Sequence, residues 1–150
     1  MPEFKEFKDS ATLVAVLAGQ VADLLRAGIK ARDRASLAVS GGSTPVPFFA
    51  ALSDLPLDWE DVTITLADER WVEPSDAASN ERLVRSHLLQ NRAALARFVG
   101  LKTGAATAAE AESECADHLA EVPRPFDALI LGMGNDGHTE IGRASCRERV

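Results

Sequence analysis

The chain has 150 residues, 16 Lys and Arg against 23 Asp and Glu for a formal charge of −7, and 46% hydrophobic content. That length suits one domain of the roughly 100–200 residues typical of a single core. The apolar content argues against disorder, and the acidic balance argues against nucleic acid or an anionic membrane surface, since both need a basic face. No run approaches the ~20 consecutive apolar residues of a membrane span, and the start MPEFKEFKDS lacks the basic-then-apolar order of a secretory signal. Two cysteines, Cys115 and Cys146, are too few and too far apart for a disulfide framework or a cysteine zinc site. A cytoplasmic protein in a reducing compartment is the expectation.

Apolar positions at Leu13, Leu17, Val21 and Leu24, after Ser10 as N-cap, predict an amphipathic helix from Ser10 to about Ala31. Ser36 to Ser40 reads as a strand that ends in Gly41-Gly42, with Pro45 suited to the first turn of a following helix. The β-branched run Val62 to Ala67 predicts a second strand, which breaks into Asp68-Glu69-Arg70. Ser79 or Asn80 then caps a helix through about Leu89. Phe98 to Leu101 is a shorter strand, Thr107 and Glu110 have capping-box spacing before a helix to about Glu121, and Phe126 to Leu131 is a fourth strand. Strands alternating with helices imply crossover units, a mainly parallel sheet and helices on both faces.

The last ten residues, IGRASCRERV, are basic and without hydrophobic period. They back-translate to ATC GGA AGA GCG TCG TGT AGG GAA AGA GTG, a common sequencing-adapter string. The expectation is therefore a non-native read-through tail over 141–150, with 1–140 forming the N-terminal part of a single domain. The tail holds Arg143, Arg147 and Arg149 against Glu148, so the remainder is more acidic still.

In open sheets of this kind ligands bind beyond the carboxyl ends of the strands, where three polar clusters fall. In the first, Gly41 and Gly42 let backbone N–H groups approach an anion, Ser43 and Thr44 add hydroxyl donors, and a helix N-terminus follows. This cluster lacks the Gly-Lys-Ser/Thr ending of a nucleotide P-loop, and an ordinary turn is the competing reading. The second, Asp68-Glu69-Arg70-Trp71 with Ser79-Asn80 beyond it, sets carboxylates, an amide and a guanidinium where they can orient sugar hydroxyls and clamp an anion. Its competing reading is a charged surface loop. The third, Leu131-Gly132-Met133-Gly134-Asn135-Asp136-Gly137-His138-Thr139, matches the dinucleotide fingerprint in spacing. It comes late in the chain, however, and leads into a histidine instead of a helix. Asp136 can fix the tautomer of His138, a candidate general base. His87 and His118, inside helical stretches, read as packing or solvent-facing residues.

The succession SGGSTP, LADERWVEPSDAASNERLVRSHLL and FDALILGMGNDGHT, in order and spacing, resembles the 6-phosphogluconolactonases of the glucosamine/galactosamine-6-phosphate isomerase-like superfamily. The resemblance runs from about Phe4 to Thr139. Amino-sugar-phosphate deaminases of that superfamily typically carry Asp-Glu-Tyr at the second motif and a different continuation after the histidine. Asp68-Glu69-Arg70-Trp71-Val72 and Thr139 favour the lactonases, whose pattern this chain leaves at Glu140. The resemblance implies a three-layer α/β sandwich, incomplete at the C-terminus, acting as monomer or weak homo-oligomer. It also implies cofactor-free hydrolysis of 6-phospho-D-glucono-1,5-lactone, a step of the oxidative pentose phosphate pathway. In that scheme His138 is general base and Asp136 positions it. Gly41, Gly42, Ser43 and Thr44 hold phosphate, Arg70 neutralises substrate charge, and Asp68, Asn80, Gly132, Gly134 and Gly137 complete the substrate site. The alternatives are a deaminase or isomerase with Asp68 as base, a non-catalytic sugar-phosphate sensor, and a fragment inactive in its 150-residue form.

Overall fold

The computed structural model describes residues 2–132. His138, Asp136, Gly134, Gly137 and the 141–150 tail lie outside the described residues.

Four strands, β1 (Ala35–Val39), β2 (Val62–Leu66), β3 (Arg97–Val99) and β4 (Ala128–Ile130), form one sheet in the order β3-β2-β1-β4. All three pairings are parallel, with Leu37 opposite both Ile64 and Ala128. Helix α1 (Ser10–Arg32) precedes β1, and α2 (Val46–Ser53), α3 (Asn80–His87) and α4 (Glu112–Ala120) form the three crossovers. The β1-α2-β2 and β2-α3-β3 units step one way along the sheet, and β3-α4-β4 returns past both inner strands. Right-handed connections then put α4 on the face opposite α2 and α3, giving the expected three layers.

Every residue of β1 and β2 is buried, as a parallel strand covered on both sides requires. Alternation along the strands directs Leu37, Val39, Val62, Ile64 and Leu66 into the main core, with Phe49 and Leu52 of α2, Leu25 of α1 and Trp59. By length and composition alone α1 could cross a membrane. Within the fold its buried stripe of Ala18, Val21, Ala22, Leu25 and Gly28 packs on α2 and β1.

Most element boundaries lie within a residue or two of the sequence reading, and the start of α4 lies further off, each for a local reason. The α1 cap is Asp9, whose Oδ1 accepts from the Thr12 N–H at 2.7 Å, so Ser10 is already helical. Asp33, in the left-handed region at φ 62°, ends the helix. Ser79 is the α3 cap, accepting from the Arg82 N–H at 3.2 Å, and α3 stops at His87. Thr107 Oγ1 does accept from the Glu110 N–H at 3.2 Å, yet that turn does not open α4, which begins at Glu112. Two short 3-10 turns, Trp59–Asp61 and Asn91–Leu95, carry no hydrophobic period and have no counterpart in the sequence reading.

The lower, amino-terminal edge of the sheet is tied by Asp127. Its carboxylate accepts from the Ser36 N–H at 2.8 Å and pairs with Arg32, joining the end of α1 to the starts of β1 and β4. A Cβ on Gly28 would collide with that carboxylate, so a larger residue there would have to displace the Asp127 tie.

Candidate functional site

The sheet order decides which sequence clusters meet. From β1 the chain steps to β2 on one side and, after β3, returns to β4 on the other, so a topological switch point lies at the carboxyl end of β1. The three clusters follow β1, β2 and β4, and β1 is the direct neighbour of the other two.

At the end of β1, Ser40 Oγ donates to the Ile130 carbonyl at 3.1 Å, pinning the first cluster to the last described strand. Gly42 has φ +94°, a conformation that side chains resist, and has open space around it. Gly41 is constrained differently, because a Cβ there would collide with Asn80 Oδ1. Ser43 and Thr44 lie at the surface or near it, and the turn is held from below by Val46 N–H to Ser43 O at 3.3 Å and Phe49 N–H to Pro45 O at 2.8 Å. Pro45 and Pro47 carry no N–H, so the α2 entrance has fewer donors than a proline-free helix start. Gly41, Thr44 and Gly132 line one cavity of about 290 Å³, which is walled on its apolar side by Leu13, Leu17 and Phe48.

At the end of β2, Asp68 and Glu69 are both buried. The Asp68 carbonyl accepts from Asn80 Nδ2 at 3.1 Å. Asn80, the first residue of α3, thus touches the first cluster through Gly41 and the second through Asp68. Glu69 accepts from three backbone N–H groups: Arg70 at 2.8 Å and Asn80 at 2.7 Å on Oε1, and Glu81 at 2.9 Å on Oε2. Its carboxyl is raised above the ordinary value because burial penalises the charge, outweighing the three donors, which favour the ionised form.

Arg70 is exposed, and its guanidinium donates to the Ala78 carbonyl at 3.4 Å, eight residues along its own loop. Among the described residues it makes no hydrogen bond to 41–44. The loop is pinned further on, where Trp71 Nε1 donates to the Ala105 carbonyl at 3.1 Å and Lys102 lies over the indole, 4.9 Å from its centroid.

The structure therefore joins Gly41, Asp68 and Asn80 by contact, and Gly41, Thr44 and Gly132 by a shared cavity. Glu69 is the residue that the sequence reading left without a role of its own. Its partners on α3 stand 11 and 12 residues away, at no spacing that marks a motif. Among the described residues no three His, Cys, Asp or Glu side chains assemble as a metal-ligand set.

The family model of glucosamine-6-phosphate isomerases/6-phosphogluconolactonase matches residues 8–140. A 6-phosphogluconolactonase of Pseudomonas aeruginosa is 54% identical over 123 residues, covering 82% of this chain and 52% of the relative. One of Rhizobium meliloti is 50% identical over 133 residues, covering 89% of this chain and 57% of the relative. The crystal structure of a 6-phosphogluconolactonase from Shewanella baltica superposes with TM-score 0.90 at 54% identity, covering 93% of this chain and 60% of that one. The chain thus spans little more than half the length of the curated relatives it matches.

Proposed function

The chain belongs to the glucosamine-6-phosphate isomerase/6-phosphogluconolactonase family, and from that membership we propose that residues 1–140 are the N-terminal part of a 6-phosphogluconolactonase domain. The activity of the whole domain is hydrolysis of 6-phospho-D-glucono-1,5-lactone to 6-phospho-D-gluconate. The observation that carries this reading is the meeting of the phosphate-type loop, the Asp68/Asn80 pair and the Gly132 strand end at one switch point.

In this scheme the backbone N–H groups of Gly41 and Gly42 and the hydroxyls of Ser43 and Thr44 take the 6-phosphate. Asp68 and Asn80 face the sugar, and Arg70 offsets substrate charge. Neutral His138, oriented by Asp136, takes a proton from a water molecule whose oxygen attacks the C1 carbonyl. N–H groups around Gly132, Gly134 and Gly137 donate to the oxyanion that forms. The C1 to ring-oxygen bond then breaks, and the proton on His138 passes to the departing ring oxygen. The new carboxylic acid ionises to 6-phosphogluconate and His138 is neutral again. One general base with good positioning is sufficient for a lactone of this reactivity, and no covalent nucleophile is required.

The experiment is hydrolysis of freshly generated lactone, coupled to 6-phosphogluconate dehydrogenase. It compares the 150-residue chain with one whose sequence after Glu140 is continued from the genomic locus to the length of its relatives. Turnover in the continued chain, with little in the 150-residue one, is the expected result. No hydrolysis by either, with deamination of glucosamine 6-phosphate in its place, would move the assignment to the isomerase branch.

A further inference from the structure

Glu69 is one of the few charged side chains drawn fully into the fold, 3% exposed, and the hydrolytic scheme gives it no chemical part. Part of what it does is complete the α3 N-terminus: Ser79 serves the Arg82 and Leu83 N–H groups, while Glu69 takes those of Asn80 and Glu81 and accepts from the Ser79 hydroxyl at 3.4 Å. Its third backbone donor, Arg70, belongs to the other segment of the site and is no part of that cap. What Glu69 adds is a fixed distance between two segments. One carboxylate reaches its own neighbour Arg70 at the end of β2 and the first two N–H groups of α3, leaving neither half of the site free to shift against the other.

The consequence falls on Asn80. With its backbone N–H held at 2.7 Å by Glu69, its side chain is set between the Asp68 carbonyl and the face of Gly41, where a larger residue would have to push it aside. The same bonds occupy the α3 N-terminal donors with an internal carboxylate, which leaves the 41–44 loop as the anion end of the site. Beyond Gly41, where Asn80 meets it, that loop is held by its own contacts to the start of α2, through the Ser43 and Pro45 carbonyls.

We propose that Glu69 is a positioning residue for sugar recognition, its carboxylate fixing Asn80 against Gly41 and Asp68 while the phosphate loop is held separately. The inference rests on reading this site as one for a sugar-phosphate lactone.

The test is a titration of the chain continued to the length of its relatives with 6-phosphogluconate and, separately, with inorganic phosphate, for the wild type, Glu69→Gln and Asn80→Ala. The isosteric amide must turn its NH₂ either toward the Glu81 N–H and Ser79 hydroxyl or toward the Arg70 and Asn80 N–H groups, so it cannot keep the full set of contacts that fixes the start of α3. Both variants should lose about tenfold or more in 6-phosphogluconate affinity, on the order of one or two hydrogen bonds. Phosphate affinity should stay within about twofold of wild type. A merely structural role would weaken both ligands together, and that result, or a Glu69→Gln chain binding 6-phosphogluconate as wild type does, overturns the proposal. If Glu69→Gln does not melt cooperatively, Glu69→Asp, which keeps the charge and shortens the reach, is read by the same split. A wild-type chain that binds neither ligand defeats the site reading itself and this proposal with it, an outcome distinct from a variant without effect.

Discussion

Gly41 and Gly42 are adjacent and both glycine, yet the structure constrains them for different reasons, and their substitution should separate those reasons. A methyl at Gly42 meets nothing within 4 Å but inherits φ +94°, so Gly42→Ala should cost roughly 1–2 kcal/mol of stability through backbone strain. A methyl at Gly41 collides with Asn80 and must expel its side chain from the Asp68 carbonyl. Gly41→Ala should therefore weaken 6-phosphogluconate binding more than Gly42→Ala does at equal loss of melting temperature. Equal effects on binding would show that the Asn80 contact is incidental. In a chain continued to the relatives' length, His138→Ala should lower kcat by roughly 10²–10⁴-fold, the usual worth of a general base, whereas His87→Ala should be nearly silent. Glu69 also predicts a pH dependence. Its carboxyl is raised from 4.5 by burial, so the folded chain binds that proton more tightly than the unfolded one. The stability this contributes is fully present below the ordinary value and is lost as pH rises through the folded value. The difference in unfolding free energy between wild type and Glu69→Gln should accordingly shift in favour of wild type on acidification from about pH 7 toward 4, with a flat difference counting against the burial argument.

Helix α1 offers a matched pair of tests at the scale of elements. Replacing a helical glycine by alanine ordinarily stabilises by about 0.5–1 kcal/mol, and Gly19, where an added methyl would meet nothing within 4 Å, should follow that rule. Gly28→Ala should do the reverse. The added methyl displaces the Asp127 carboxylate, which then releases the Ser36 N–H and Arg32, and a loss of about 1–3 kcal/mol is expected from a buried donor left unpaired. Thermal or urea unfolding of the two variants decides, and a stabilised Gly28→Ala would show that the Asp127 tie is dispensable. The same contrast explains how much was legible in the sequence. The strands at 35–39 and 62–66 and the helices at 10–32 and 80–87 announce themselves through apolar period and caps, which are local. So are the three polar clusters, each directly after a strand. Asp9 displaced Ser10 as cap because two suitable oxygens stood side by side, and pattern cannot choose between them. The links from Gly28 to Asp127, Gly41 to Asn80 and Glu69 to α3 are tertiary contacts, and nothing in the intervening residues encodes them.

For the molecule as a whole, a charge of −7 repels a dianionic ligand, so only local donors such as the 41–44 loop can draw it in, and moderate salt should speed association by screening that repulsion. The sheet itself carries a stronger consequence. Among the described residues β4 pairs on one side alone, with β1, and Leu129 on that strand is 52% exposed, although parallel sheets are ordinarily covered on both faces. An open strand edge beside an exposed leucine favours pairing with another copy. Relatives about one and a half times as long have the additional chain to cover such an edge. Leu129→Lys should therefore have opposite effects at the two lengths. In the 150-residue chain it should reduce concentration-dependent association in sedimentation velocity, because a charge now marks the open edge. In the continued chain, if the added sequence covers this strand, it should destabilise by about 1–3 kcal/mol, because a covered lysine would lose its hydration. A 150-residue chain that sediments as a single species regardless of Leu129→Lys, together with a continued chain whose melting is unchanged, would mean that β4 is a natural edge and that the rest of the domain packs elsewhere.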